Sequence, residues 1–288
     1  MTRLKTVLLL SLATGLLLVA GAALGRGWLI GATVLAFAMN LGAYFWSHKL
    51  VLRLQQAQEL PLGEAPKLHA DVAELAARAG LPKPRIYLIP DEAMNAFATG
   101  RNPEHGVVAF TKGILHRMPR RELRGVIAHE LSHIRHRDIL VATVAAGLAG
   151  AVSLLANVFQ WGAFLGMGSS QDEEGTSPWS ALVFALLAPI GATLIQLGIS
   201  RSREFLVDEG AARLTGDPEG LAMGLERLSR ANELIEPGPT AQPAFASLMI
   251  ASPFSGGGVM AWFSTHPPVP VRVQRLRAMK PWDLRMAS

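Results

Sequence analysis

Four long apolar runs dominate the chain, at residues 7–24, 28–46, 139–168 and 179–199. A helix needs about 20 apolar residues to cross the hydrocarbon core of a bilayer. Each run therefore predicts a membrane span, with the third placed at about residues 139–161. Only Gly25, Arg26 and Gly27 separate the first two runs, so these spans form a tight hairpin, and the second pair forms another. The competing reading of the first run is a cleaved signal peptide, with Arg3 and Lys5 as its basic start and Ala20-Gly21-Ala22 as a cleavage site. A second apolar run follows at once, which favours retention. The competing reading of the third run is a buried soluble helix, because Asn157 and Gln160 interrupt it.

Between the hairpins the pattern changes. Residues 54–80 carry helical periodicity, with Leu68, Val72 and Leu75 on one face, and Gly80 and Pro82 end it. Residues 85–89 and 106–111 have β character, separated by a turn-like stretch at 100–103, and residues 95–99 suggest a further short strand. Residues 120–137 read as a helix leading into the third span. Residues 200–215 read as a helix leaving the fourth, and Asp217-Pro218 starts another that runs to about Glu233. Residues 237–258, rich in Gly, Pro, Ser and Ala, read as a mobile loop with exposed Leu248, Met249 and Phe254. The expected organisation is thus a transmembrane hairpin (1–48), a first polar segment (49–138), a second hairpin (139–199) and a second polar segment (200–288).

Charge orients this layout. Arg3, Lys5, Lys49, Arg53, Arg135, Arg137, Arg201 and Arg203 flank the spans on one side, while the other side holds Arg26 and the acidic loop Asp172-Glu173-Glu174. Basic flanks mark the cytoplasmic side, so both termini and both polar segments are expected there, packed into one domain. Half of the residues are hydrophobic and 17% are charged. The net charge of +5 sits at the span ends, which excludes nucleic acid as a partner. The chain has no cysteine. Disulfides, thiolate metal ligands and a cysteine nucleophile are excluded with it.

The chemistry concentrates in His129-Glu130-Leu131-Ser132-His133, an H-E-x-x-H pattern. Chance would give it on the order of 0.01 times in a chain of this composition. On a helix the two imidazoles lie one turn apart on one face, where they can hold a single zinc ion with Glu130 beside its water. A third ligand is required, and without cysteine it is a His, Asp or Glu. Glu204 stands out, because it follows the fourth span as His133 precedes the third, and a hairpin brings those ends together. Asp208, one turn later, can accept a hydrogen bond from the free ring N–H of a zinc-bound histidine. The alternative is that Glu204 and Asp208 pair only with nearby arginines on a solvated helix.

Several separated motifs resemble the HtpX-type membrane zinc metalloproteases, relatives of the CAAX prenyl endopeptidases. They are Asn95-Ala96-Phe97-Ala98-Thr99-Gly100, residues 107–113 and 121–133, residues 200–208 with the following 209–221, and Ser264-Thr265-His266-Pro267-Pro268 with Arg272. One departure is His136 before Arg137-Asp138, where relatives usually carry Asn before the Asp. The resemblance implies a mainly α fold with a small β-sheet: four transmembrane helices in two hairpins plus a cytoplasmic zincin-like metalloprotease domain. It implies one Zn2+ per chain on His129, His133 and Glu204, a catalytic Glu130, and Asp208 behind the ligands. It also implies that Asn95, Ala96 and Phe97 belong to an edge strand along which substrate lies extended. The expected partners are the lipid bilayer and protein or peptide substrates, chiefly misfolded or membrane proteins. The expected setting is the bacterial inner membrane.

The expected chemistry is peptide hydrolysis, with Glu130 as proton carrier. The oxyanion needs a further donor. Only Tyr44 and Tyr87 are available as tyrosines, and the nominated donor is His266, whose alternative role is to shape a turn. Arg203 is a candidate to fix substrate or a Glu side chain, and Arg272 to brace the His266 loop. A narrow CAAX-type processing peptidase would need an enclosed chamber, built by more than four spans. A non-proteolytic scaffold would not need Glu130, and a transporter would need paired ionisable residues inside its spans.

Overall fold

The computed structural model describes residues 26–146, 201–234, 248–250, 267–280 and 283–284, with isolated positions between 10 and 22. The third and fourth expected spans beyond residue 146, the acidic loop at 172–174, Phe254 and His266 lie outside the described residues.

Helix α1 (Arg26–Leu54) contains the second apolar run. No single described helix is long and apolar enough by itself to cross a membrane, but Leu29–Ala38 and Asn40–Leu54 together meet that test across a 44° bend. Near the bend the Asn40 amide donates to the Thr14 hydroxyl at 2.9 Å, which joins the first two apolar runs.

The sheet has strands β1 (Gln58–Glu59), β2 (Arg85–Ile89), β3 (Ala96–Thr99) and β4 (Val107–Thr111), in the order β1-β2-β4-β3. Strands β2 and β4 are parallel, with Arg85 opposite Val107. Strand β3 runs antiparallel to β4, with Ala96 opposite Phe110, and forms the sheet edge. All five positions of β4 are buried, as expected of a strand covered on both faces. Val108 and Phe110 face a core that includes Val126, Ile127 and Leu131. Val107 and Ala109 face Val51 and Leu52 of α1, together with Leu248 and Met249.

Helix α2 (Pro66–Arg78) is shorter than the periodicity suggested. Its proline stands in the first turn, where a missing N–H costs nothing. The preceding Pro61 and Gly63 break the chain into a turn, and residues 58–59 pair with β2 instead. After α3 (Lys112–Arg117) comes α4 (Arg120–Arg135), whose residues 125–132 are all buried. It does not run on into the third apolar run. Arg137 takes a positive φ of 57°, and a new helical stretch begins at residue 139. Helices α5 (Arg201–Thr215), α6 (Pro218–Leu234) and α7 (Val269–Arg277) complete the described part. Leu248 and Met249, expected to be exposed, are buried in the core on the α1 side of the sheet.

Helix α4 is clamped at its first turns. Arg120 and Arg124 bind Asp71 of α2, and Glu122 accepts two hydrogen bonds from Arg227 of α6 at 2.6 and 2.9 Å. Close approach to α6 is possible only because residue 125 is glycine. A Cβ there would lie 2.8 Å from both the backbone nitrogen and the Cα of Leu221. Gly125→Ala is expected to force these helices apart and to destabilise the fold by about 1–3 kcal/mol. Thermal unfolding of the purified protein measures this, and an unchanged midpoint would show that the interface yields freely.

Candidate metal centre

Helix α4 and helix α5 face each other at the sheet edge. The Nε2 atoms of His129 and His133 are 3.2 Å apart. From α5, the two Glu204 oxygens lie 3.8 Å from His129 Nε2 and 3.7 Å from His133 Nε2. Donor atoms on a tetrahedral zinc with bonds of about 2.0–2.1 Å are separated by roughly 3.3 Å. Two imidazoles and a carboxylate at these separations fit such an ion, with a fourth position left for water or substrate. Among the described residues this is the one cluster of His and acidic groups with ligand atoms so close together.

Each histidine has a carboxylate behind it, and each carboxylate has an arginine. His129 Nδ1 donates to Asp208 at 2.9 Å. That fixes the proton on Nδ1 and leaves the Nε2 lone pair for a metal. Asp208 accepts two hydrogen bonds from Arg272, at 2.8 and 2.7 Å, and Arg272 is fully buried. His133 Nδ1 faces Asp138 at 3.8 Å, and Asp138 pairs with Arg203 at 3.0 Å. His136 closes the end of α4 with its ring nitrogen 2.8 Å from the Ser132 carbonyl.

The electrostatics favour a cation at this point. Burial raises the Glu130 carboxyl to about 7, and Glu204 adds to the effect. One of its oxygens is buried with no hydrogen-bond partner, while the Ala98 backbone amide serves the carboxylate. Burial alone would lower His133, but Glu204, Asp138 and Glu130 outweigh it and raise it to about 9. The His133 shift reflects the carboxylates gathered around it, and the Glu130 shift chiefly reflects burial. A divalent ion held by the triangle would offset that negative charge. His129 behaves in the opposite way, lowered to about 4 chiefly by burial, so its ring is neutral at physiological pH and able to ligate. Burial would raise Asp208, but Arg272 and His129 hold it down at about 2.

The structure therefore brings together His129, Glu130, His133, Glu204 and Asp208. Asn95, Ala96 and Phe97 lie on or beside β3, all with buried side chains. Thr111 N–H donates to the Asn95 carbonyl. The pleat alternates, so the main-chain groups of Ala96 and Ala98 turn to the outer edge. There the Ala96 carbonyl accepts the Ile250 N–H at 3.1 Å. Arg203 is turned to Asp138. Arg272 is the partner of Asp208, and its Nη1 also donates to the Ile250 carbonyl at 3.0 Å; its expected contact with the His266 loop lies outside the described residues. Sequence reasoning missed Asp138 as a partner of His133. Its signal was its position five residues past His133, beyond the helix end.

Arg272→Ala would leave the Asp208 carboxylate buried without its partner. Loss of one member of a buried ion pair costs about 3–5 kcal/mol. A matching fall in stability is expected by thermal unfolding. Arg272→Lys should recover only part of it, because an ammonium cannot make the two-pronged contact. A stable Arg272→Ala protein would mean that Asp208 has another route to compensation.

Known proteins share this arrangement of sequence. The model of peptidase family M48 matches residues 63–280. A protease HtpX homolog from Paraburkholderia phytofirmans is 50% identical over 281 residues, covering 96% of each chain. Another from Syntrophobacter fumaroxidans is 48% identical, covering 96% of this chain and 99% of its own. In fold, the chain resembles the crystal structure of S. mikatae Ste24p with a TM-score of 0.54 at 19% identity, over 96% of this chain and 65% of that one. On this evidence, together with a His-His-Glu cluster fit for zinc, the chain belongs to peptidase family M48 and is a zinc metallopeptidase.

Proposed function

We propose that the chain is an integral-membrane zinc endopeptidase that hydrolyses misfolded or membrane proteins at the cytoplasmic face. The observation that carries this reading is the triangle of His129, His133 and Glu204 with a buried, partly unsatisfied Glu130 beside it. Bound zinc supplies a Lewis acid that makes water nucleophilic near neutral pH and polarises a carbonyl. His129, His133 and Glu204 hold the ion. Asp208 orients the His129 ring through Nδ1, and Asp138 faces His133 Nδ1 at 3.8 Å as an electrostatic support.

Glu130 accepts the proton of the attacking water and returns it to the departing amine. Burial raises its proton affinity, and a cation held beside it would lower it again, so that it can act as a base. Substrate lies along β3, where main-chain pairing grips any sequence and favours extended, unfolded segments. His266 remains the nominated oxyanion donor. Arg203, a candidate to fix substrate, pairs with Asp138 and so also supports His133.

The four-span layout, with polar segments 49–138 and 200–288 on one side, is part of the same proposal. The 44° pair in α1 and the Asn40–Thr14 contact support the first hairpin.

Glu130→Gln is expected to keep zinc and lose about 10²- to 10⁴-fold in hydrolysis of an unfolded protein such as casein. Equal turnover by both proteins, with equal metal, would remove Glu130 from the role of base. A zinc-loaded parent that cut no unfolded protein would point to a narrow processing activity. Topology can be read separately, because the chain has no cysteine of its own. Cysteine introduced by Glu173→Cys should react with an impermeant maleimide from outside the cell. Cysteine introduced by Glu64→Cys should react only after the membrane is opened. Reversed labelling would overturn the orientation.

A further inference from the structure

A second site lies away from the metal centre, at the end of α1. An open cleft of about 470 Å³ is lined by Lys49, Lys83, Arg85 and Arg101, with His48 and His105 among them. Glu104 is the one carboxylate in its wall. Four cations around one cavity repel each other unless an anion joins them. Their own partners are weak or neutral. Arg85 has Glu59 only at 3.9 Å, and both side chains are about half exposed. Arg101 lies over the Phe45 ring at 5.3 Å and bonds His105 at 2.7 Å. Lys83 bonds His69 at 2.9 Å.

His48 is a second, independent sign. It is 5% exposed, and its Nδ1 has no hydrogen-bond partner among the described residues. A buried polar atom is costly when unpaired, and this one belongs to the cleft wall.

The surroundings identify the class of anion. Ile30, Val34, Phe37 and Leu41 recur at helical spacing along α1, all exposed. The stripe leads to exposed Tyr44, Phe45 and Trp46 and then to the cleft. Aromatic side chains of this kind mark the boundary between hydrocarbon and headgroups. An apolar stripe, an aromatic belt and a basic cleft in that order match acyl chains, glycerol backbone and a phosphate. We propose that this cleft binds the headgroup of an anionic phospholipid, with the acyl chains along α1. The proposal presupposes that α1 lies in a membrane, but it does not depend on peptidase chemistry.

The test uses the full chain in detergent, with phosphatidylglycerol and phosphatidylcholine titrated in turn and retention read by native mass spectrometry. Phosphatidylglycerol is expected to be retained preferentially. The double variant Lys49→Gln/Arg101→Gln should weaken it roughly 25-fold, about fivefold for each cation removed, and leave phosphatidylcholine unchanged. Glu104→Gln should strengthen it by a similar single step, a change in the direction that damage to the fold would not give. Zinc content and thermal unfolding of the variants report folding, and maleimide topology reports membrane placement, so failure here is separable from failure of either earlier reading. Equal retention of the two lipids, or equal phosphatidylglycerol binding by parent and double variant, would overturn the proposal. Binding of soluble glycerol phosphate as tightly as the lipid would show a free-phosphate site and overturn the lipid assignment.

Discussion

Two imidazoles one turn apart on a helix must both aim Nε2 at the same point, and the structure around the centre follows from that requirement. A histidine ring left to itself exchanges its proton between two nitrogens and turns about its side-chain bonds. Asp208 removes this freedom from His129 by accepting the Nδ1 proton at 2.9 Å. Asp138 faces His133 Nδ1 at 3.8 Å, too far for a hydrogen bond but close enough to favour a proton on that nitrogen. Each carboxylate would be costly to bury alone, and each is paired in turn, with Arg272 and with Arg203. The result is two parallel chains of arginine, carboxylate and imidazole that converge from opposite ends of the site. Helix α5 supplies Glu204, Asp208 and Arg203 from consecutive turns, so its position against α4 sets the metal triangle and both supports together. The glycine at residue 125 and the ion pairs of Glu122 and Arg120 hold α4 against α6 and α2 with little slack.

The parts of this site that could be read from sequence are those encoded within one helix. H-E-x-x-H is local, so its geometry follows from the helical repeat alone. Glu204 is far away in sequence, and only the expected hairpin and the family resemblance pointed to it. Asp138 was not legible because its use depends on a helix break. Arg137 adopts a positive φ, which turns the chain so that Asp138 faces back toward His133 rather than continuing around the helix. Arg272 contacts Asp208 across 64 residues of chain, and no local pattern encodes such a pairing.

The fold shows the same division. Strands β2 and β4 stood out by β-branched and aromatic content, and α4 and α6 began within a residue or so of their expected starts. The long helical reading of 54–80 failed because the apolar face at Leu68, Val72 and Leu75 belongs only to α2. The segment before it, with Pro61 and Gly63, turns and adds β1 to the sheet. Leu248 and Met249 were misjudged by the company they keep. Their Gly-, Pro- and Ser-rich neighbours suggested an exposed loop, but these two side chains complete the core that covers the α1 face of the sheet.

That misjudged segment bears on how the edge strand works. Strand β3 has three main-chain groups turned outward that the described residues already use, the Ala96 amide donating to the Asn95 side chain at 3.0 Å. The Ala98 amide serves Glu130, and the Ala96 carbonyl accepts from Ile250. The Ile250 carbonyl is held by Arg272, the same guanidinium that fixes Asp208. A peptide that pairs with Ala96 must therefore replace Ile250, and in doing so it takes an acceptor away from Arg272. A peptide that pairs with Ala98 competes with Glu130 for the amide and frees that carboxylate to turn toward water. Glu130 thus touches β3 directly through the Ala98 amide, and Arg272 is joined to it through Ile250, so the strand edge and the metal supports share these two side chains.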